Sequence, residues 1–348
     1  MHKTLLLDFT QTELQQWVRD SGEPPYRARQ LLDWLYKKYA IRVEELSNLP
    51  TAWRERLERL AELTPFTASS TQRSQDGTQK TLFQLHDGLS IESVRIVMKE
   101  HFTLCISTQA GCAVDCDFCL TGKQGFTRNL TSGEILGQIL AAQRGLNAGE
   151  RISNIVLMGM GEPLLNYANT VKAIRMMLAE EGLNFSNRKI TLSTAGIIPG
   201  IQRLGQEDFS INLAISLNAP TDEIRSRIMP INQTYSLGAL LDACRAFPLS
   251  ERRRITFEYI LLDGINDAPD HARALARILR GIRCKLNLIP YNASPDSPYL
   301  PSSETRTLTF QSILSQHDYS VFIRASKGRD ISAACGQLRG SRQPDVSR

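Results

Sequence analysis

Cys112, Cys116 and Cys119 stand in the order C-x3-C-x2-C, three of the seven cysteines of the chain gathered in one short stretch. Thiolates so spaced are first of all metal ligands. A structural zinc site wants four ligands, commonly as paired C-x2-C halves, and no second pair exists here. A cubane iron–sulfur cluster takes four cysteines, so three leave one iron open. An open metal position means reactivity, because a substrate or cofactor can coordinate there. We therefore read a catalytic iron–sulfur cluster, with zinc as the alternative. The cluster follows a strand-like run from Phe102 to Thr108 and then Gly111, where α/β folds carry their active sites. Gly161 and Glu162 close a Gly-Met-Gly-Glu-Pro stretch after another strand-like run. Bare glycines let backbone approach a ligand, and a carboxylate can accept from an ammonium. An isolated cysteine such as Cys335 is, by itself, usually a small buried hydrophobe. Cys244 and Cys284 are read that way, as core residues.

The elements that must position these residues follow from patterning. The chain has 348 residues, enough at ~150 per domain for about two domains. Its 42% hydrophobic content and net charge of +5 exclude disorder as the main state, and 41 basic against 36 acidic residues is too balanced for a purely electrostatic nucleic-acid binder. No apolar run approaches the ~20 residues of a membrane span. Met1 to Phe9 has no cleavage-type signal, so a cytoplasmic location is expected, and with it metal or redox use of cysteines rather than a disulfide framework.

Residues 1–75 read as a helical accessory or RNA-binding domain. Thr10 and Glu13 form a capping box. Ala28, Leu31, Leu32, Leu35 and Tyr39 share one helix face, as do Trp53, Leu57, Leu60 and Ala61 after Pro50. Arg54, Arg56 and Arg59 between them form a solvated face or, in the sharper reading, an RNA-facing one. The polar stretch from Thr67 to Gln79 reads as a linker. Residues 76–100 hold a β-hairpin, turning at Asp87-Gly88. Residues 101–340 alternate strands and helices, with strands at Phe102–Thr108, Ile152–Met158, Lys189–Ser193, Ile211–Ser216, Ile255–Leu262, Cys284–Ile289 and Tyr319–Arg324. This implies a parallel sheet, open or closed into a partial (β/α)6 barrel. Residues 341–348 read as a frayed tail.

Several further stretches occur in a fixed order: Cys105 to Cys112, Phe118-Cys119, Gly125 to Leu130, Met158 to Pro163, Ser193 to Gly196, Met229 to Asn232, Asn287 to Pro290, and Ala334 to Leu338. The C-x3-C-x2-C spacing resembles the radical S-adenosylmethionine superfamily. The ordered set, over essentially the whole chain, resembles the RlmN/Cfr family of radical RNA adenine methyltransferases, RlmN more closely. That resemblance implies one [4Fe-4S] cluster on Cys112, Cys116 and Cys119, with its open iron chelated by S-adenosylmethionine, two of which are used per turnover. It implies cofactor contacts at Gly161, Glu162, Ser193, Ser216, Leu217, Asn218 and Asn292. Asn218 departs from the family, many members having histidine there. It implies that Cys335 is the methyl carrier, that Cys105 forms a transient disulfide with it, and that Glu92 accepts a proton. Taken alone, Glu92 would be the outward residue of an alternating strand.

The implied substrate is an adenine of 23S ribosomal RNA, with transfer RNA as a second candidate. The implied reaction is at C2, with C8 as the alternative. C2 lies between two ring nitrogens and is no nucleophile, which is why a radical is needed. The implied scheme runs through a methylated Cys335, a thioether between Cys335 and RNA, and attack by Cys105 to release the product. The target base must leave its stack. Lys123, Arg128, Arg252 to Arg254, Arg324, Lys327 and Arg329 are candidate phosphate contacts. An electron donor such as flavodoxin, no membrane and a monomeric state complete the expectation.

Overall fold

The computed structural model describes residues 3–98, 101–293 and 297–340. The tail 341–348 lies outside the described residues.

The chain opens with a short strand β1 (Thr4–Leu5) and helices α1 (Gln11–Asp20), α2 (Tyr26–Leu32) and α3 (Thr51–Leu60), then β2 (Ala61–Glu62) parallel to β1. The Thr10–Glu13 capping box is made from both sides: the Glu13 N–H donates to Thr10 Oγ1 at 3.3 Å and the Thr10 N–H to Glu13 Oε2 at 2.7 Å. The second helix does not run on as an α-helix to Tyr39. It widens into a π turn over Asp33–Lys37. The wider turn buries the consecutive residues Leu35 and Tyr36 together. Asp8 ties this helical unit to the rest of the chain: its Oδ1 accepts from the Gly133 N–H at 2.7 Å and the Ser132 hydroxyl at 3.2 Å.

Next come β3 (Phe66–Arg73), β4 (Gln79–Leu85), β5 (Ser90–Val97), β6 (Phe102–Cys105), a small antiparallel pair β7 (Gln109–Gly111) and β8 (Phe126–Asn129) around α4 (Leu120–Gln124), and α5 (Ser132–Arg144). Then strands and helices alternate: β9 (Ile152–Leu157), α6 (Tyr167–Leu178), β10 (Ile190–Thr194), α7 (Ile198–Leu204), β11 (Asn212–Ser216), α8 (Asp222–Ile228), α9 (Leu237–Ala246), β12 (Ile255–Leu261), α10 (Pro269–Ile278), β13 (Cys284–Pro290), α11 (Glu304–Gln316) and β14 (Val321–Ile323).

One ten-stranded sheet runs β14-β13-β12-β11-β10-β9-β6-β5-β4-β3. The seven strands from β14 to β6 are mutually parallel, and among the described residues β14 and β6 do not pair with each other, so the barrel is partial. Every residue of β12 is buried, as expected of a central strand covered on both faces.

The linker reading of Thr67 to Gln79 is corrected. Residues 66–73 are the edge strand β3, paired antiparallel with β4, and the hairpin β4–β5 continues the sheet through β6. β3 has no apolar alternation because, from Thr67 on, its side chains are exposed. It is held by its main-chain ladder and by cross-strand contacts such as Thr71 Oγ1 with Thr81 Oγ1 at 3.0 Å. Among the described residues no helix is long and apolar enough to cross a membrane.

Candidate active site

Cys105 ends β6, and β7 and β8 clamp the base of the loop carrying the other three clustered thiols. The clamp depends on Gly111, at φ +78°, where a Cβ would fall 1.8 Å from the Gly125 carbonyl oxygen. Instead that carbonyl accepts from the Cys112 N–H at 3.1 Å. Within the loop the Cys119 N–H donates to the Cys116 carbonyl at 3.0 Å, and the Asp117 N–H donates to the Ile228 carbonyl at 2.9 Å. Val114, Cys112, Cys116 and Phe118 pack in a small core with Ala219, Met229 and Tyr291. Burial pushes the Cys112 thiol up to about 12 and Cys116 well above its ordinary value, and neighbouring negative groups push the same way. Thiolates so placed need a strong cationic centre to form. A cubane that takes one thiolate on each of three irons supplies it.

Glu162 shows the second half of the fit. It is 3% exposed, and its two oxygens accept only main-chain or hydroxyl donors, including the Leu164 N–H at 3.0 Å and the Ala195 N–H at 2.6 Å. No ion pair reaches it among the described residues, and burial raises its carboxyl to about 7. A buried carboxylate without a cation suits an incoming ammonium. Gly161, at φ +99°, lies where a Cβ would meet Gln109 at 2.5 Å, and the Gln109 side chain accepts from the Glu162 N–H at 2.8 Å. Ser193 and Ser216 are half-buried on β10 and β11, and neither hydroxyl is hydrogen-bonded among the described residues. Leu217 is fully buried, its N–H donating to the Glu258 carbonyl and its carbonyl accepting from Arg225 Nε, so it can offer only apolar contact. The Asn218 side chain is spent inside the fold: Oδ1 accepts from the Ile260 N–H at 2.9 Å and Nδ2 points at Met229 Sδ at 3.2 Å.

The C-terminal segment lies across this mouth. The Leu120 N–H donates to the Gly336 carbonyl at 2.8 Å and Thr121 Oγ1 to the Leu338 carbonyl at 2.6 Å, docking the Cys335 loop on the cluster loop. Asn292 Nδ2 donates to the Cys335 carbonyl at 3.4 Å, and its Oδ1 accepts from Arg329 Nε at 3.2 Å. Cys335 is open to solvent on one side, yet the surrounding protein pushes its thiol up to about 11 by desolvation, and the charges of Glu258 and Cys119 add to the rise. Cys105 is buried and its thiol is also raised, first by desolvation and then by Cys335. Both are free thiols in the structure, as are all seven cysteines, so the disulfide suggested by the resemblance is absent here.

Glu92 is not the solvated outward residue that its strand alone suggests. It is 5% exposed, because the C-terminal segment at Arg339 and the Lys80 side chain of β4 lie against it. Lys80 Nζ pairs with Oε1 at 3.1 Å and the Arg339 N–H donates to Oε2 at 2.8 Å. Burial raises its carboxyl, and Lys80 and Arg339 oppose the rise. A cavity of about 570 Å³ opens beside the cluster loop, lined by Phe118, Cys119, Leu120, Tyr291 and Arg339 among others. That volume is within the range of small-molecule sites.

Arg225 escaped sequence reasoning. It is fully buried and binds the Leu217 carbonyl at 3.1 Å, the Ala195 carbonyl at 2.6 Å and Asn232 Oδ1 at 3.0 Å. It thereby ties the ends of β10 and β11 together, and Cys116 lies within reach of its charge. Its partner Asn232 belongs to the Met229 to Asn232 stretch, which was the available signal. Some candidate phosphate contacts are already engaged. Arg128 forms a bidentate pair with Glu134 and also bonds Asp87, Lys123 pairs with Asp117, and Arg253 bonds Asn212. Arg56 pairs with Glu23 inside the helical unit.

A thiol-lined mouth at one end of a partial parallel barrel defines the class, and comparison with known proteins agrees. Residues 106–276 match the radical SAM superfamily, whose members carry a [4Fe-4S] cluster and use S-adenosylmethionine. A radical SAM methyltransferase from Sphaerobacter thermophilus superposes with a TM-score of 0.94 at 45% identity, covering 97% of this chain and 99% of that one. Residues 4–63 match the ribosomal RNA large subunit methyltransferase N-terminal domain. The dual-specificity RNA methyltransferase RlmN of Syntrophus aciditrophicus is 52% identical over 340 residues, covering 98% of this chain and 97% of its own. Its counterpart in Geobacter sulfurreducens is 48% identical over 94% of this chain and 90% of its own. The chain belongs to the RlmN family of radical S-adenosylmethionine RNA methyltransferases.

Proposed function

We propose that this enzyme methylates C2 of an adenine in the peptidyl transferase region of 23S ribosomal RNA, and an adenine of transfer RNA as a second substrate. The relatives' name, dual-specificity RNA methyltransferase, supports two RNA substrates. Cys112, Cys116 and Cys119 would hold the cluster, and Gly161, Glu162, Ser193, Ser216, Leu217, Asn218 and Asn292 would surround S-adenosylmethionine. Asn218 would do so through its backbone, since its side chain is engaged elsewhere. When bound, these groups supply a carbon-centred radical, the kind of reagent an electron-poor ring carbon accepts.

The observation that carries the reading is the docking of the Cys335 loop onto the cluster loop, with Cys105 and Glu92 facing the same mouth. Cys335 loses its proton and takes up a methyl group on sulfur by displacement, the thiolate being the nucleophile. That methyl group loses one hydrogen atom to the radical so supplied, the remaining methylene joins C2 and so links the base to the Cys335 sulfur, and the odd electron left on the ring passes back to the cluster. Glu92 receives the proton leaving C2. Cys105 attacks the Cys335 sulfur, the bond from sulfur to the bridging carbon breaks, and the methylated base departs with that electron pair and a proton. The resulting Cys105–Cys335 disulfide must be reduced before the next turnover. Two molecules of S-adenosylmethionine are consumed, one giving the methyl group. An electron donor such as flavodoxin, a monomer and a cytoplasmic setting complete the proposal, with the chain organised as a helical unit up to β2 and a catalytic core whose sheet takes in β3 and the β4–β5 hairpin.

The test is anaerobic incubation with methyl-labelled S-adenosylmethionine and 23S RNA, followed by nucleoside mass spectrometry. We expect 2-methyladenosine from the wild type and none from Cys335→Ala. Appearance of 8-methyladenosine would keep the cysteine roles and overturn the C2 assignment.

A further inference from the structure

Four strands place a row of side chains at one level on the inner face of the sheet. Ser216 of β11 is in register with Glu258 of β12, Glu258 with Asn287 of β13, and Asn287 with Phe322 of β14. Parallel partners in register share a face. The flanking residues confirm which face it is. Leu286, Leu288, Val321 and Ile323 pack on the helix side in the main core, whereas Phe322 does not.

This inner row is unusual in three ways. Glu258 and Asn287 are 8% and 3% exposed, and Asn287 Nδ2 donates to Glu258 Oε1 at 2.7 Å. Asn287 Oδ1 is buried with no hydrogen-bond partner. An orphan buried acceptor is costly unless something donates to it. Phe322 closes the row at the sheet edge with 51% of its surface exposed. Positive charge brackets the row. Lys285 lies two positions before Asn287 and Arg324 two after Phe322, both within reach of the Glu258 charge. The Arg324 side chain makes no hydrogen bond or ion pair among the described residues. The Cys335 thiol feels both Glu258 and Arg324.

We propose that Glu258, Asn287 and Phe322 form the subsite that reads the target nucleobase, with the ring stacked on Phe322 and an exocyclic amine donating to Asn287 Oδ1 and to Glu258. The ligand class is an amino-bearing base in a polyanionic strand. Aromatic stacking with hydrogen bonds to a splayed-out base edge is how single-stranded RNA is read. The bracketing cations suit phosphates on either side of the base. They do not suit the adenosyl group of S-adenosylmethionine, which carries a sulfonium and no phosphate. The inference rests on the proposed RNA adenine substrate and adds the residues that select it.

The test uses the reconstituted holoenzyme and a hairpin RNA carrying either adenosine or purine riboside, which lacks the amine, at the target position. A site built around an N–H donor rejects the analogue lacking it. We expect wild-type kcat/KM to favour adenosine at least tenfold. Asn287→Ala should bring that ratio close to one. Phe322→Ala, at a half-exposed edge where folding is not at stake, should raise KM for RNA about tenfold with a smaller change in kcat. Methylation of Cys335 in the absence of RNA, read by peptide mass spectrometry, should be unchanged in both variants. A ratio that survives Asn287→Ala, or a KM that survives Phe322→Ala, overturns the subsite while RNA methylation itself stands. Loss of Cys335 methylation in step with RNA methylation also overturns it and assigns the row to the cofactor. A wild type that methylates no RNA refutes the function and the subsite together.

Discussion

Lys80 sets the proton affinity of Glu92, and removing it should move the pH dependence of the final chemical steps. Glu92 is buried, which raises its carboxyl, while Lys80 at 3.1 Å and the Arg339 N–H hold it down. At that separation and an effective dielectric of about 20, the Coulomb attraction is on the order of 5 kcal/mol before desolvation is subtracted. Net of desolvation, an opposite charge at this range lowers a carboxyl by about one to three pH units. Lys80→Met deletes that attraction, so Glu92 stays protonated to higher pH. A base must be ionised to accept a proton, so the acid limb of the rate profile moves to higher pH. On that limb the loss is about 10- to 1000-fold at fixed pH. The assay is single-turnover breakdown of the protein–RNA adduct, followed on denaturing gels from pH 5.5 to 9. Lys80→Arg, which keeps the charge, should keep the wild-type limb. Lys80 also reaches the Ser332 carbonyl at 3.4 Å, so a uniform slowing at all pH values would report loop positioning. An unshifted limb in Lys80→Met would refute Glu92 as the ionising base.

Two further outcomes follow from the buried groups. Glu162 is raised from 4.5 to about 7 by burial, so in the apoprotein the folded state holds its proton more tightly than the unfolded chain. This contribution is full below about 4.5 and is lost as pH rises to about 7, a span worth on the order of 3 kcal/mol. Glu162→Gln should therefore flatten the fall in urea-unfolding stability across that window and weaken S-adenosylmethionine binding at least tenfold by calorimetry; a variant with the wild-type slope would show that another group titrates there. Gly111→Ala forces a Cβ to within 1.8 Å of the Gly125 carbonyl oxygen at a positive φ, so it should cost about 2 kcal/mol or more and cut the iron retained after reconstitution, whereas wild-type iron content and melting temperature would refute the clamp.

The order of elements was legible because each rests on a local signal. The Thr10–Glu13 box caps α1 by contacts three residues apart, and β10 to β13 are marked by buried apolar residues at alternate positions, Ile190 and Leu192, Leu213 and Ile215, Phe257 and Tyr259, Leu286 and Leu288. The cysteine spacing likewise marked a candidate ligand set inside one loop. β3 was not legible: an exposed edge strand needs no apolar pattern, and its partner β4 alone makes it a strand. Glu92 was misplaced for the mirror-image reason, since the segment that buries it through the Arg339 N–H lies 247 residues away in the chain. Arg225 carried no local mark, because its role exists only where the ends of β10 and β11 meet. The sequence by itself determined which residue types are present for the chemistry and which strand each follows, since spacing and periodicity are short-range. The tertiary structure alone decided what each titratable group faces, because burial and charge pairing are set by contacts between segments that no local pattern encodes.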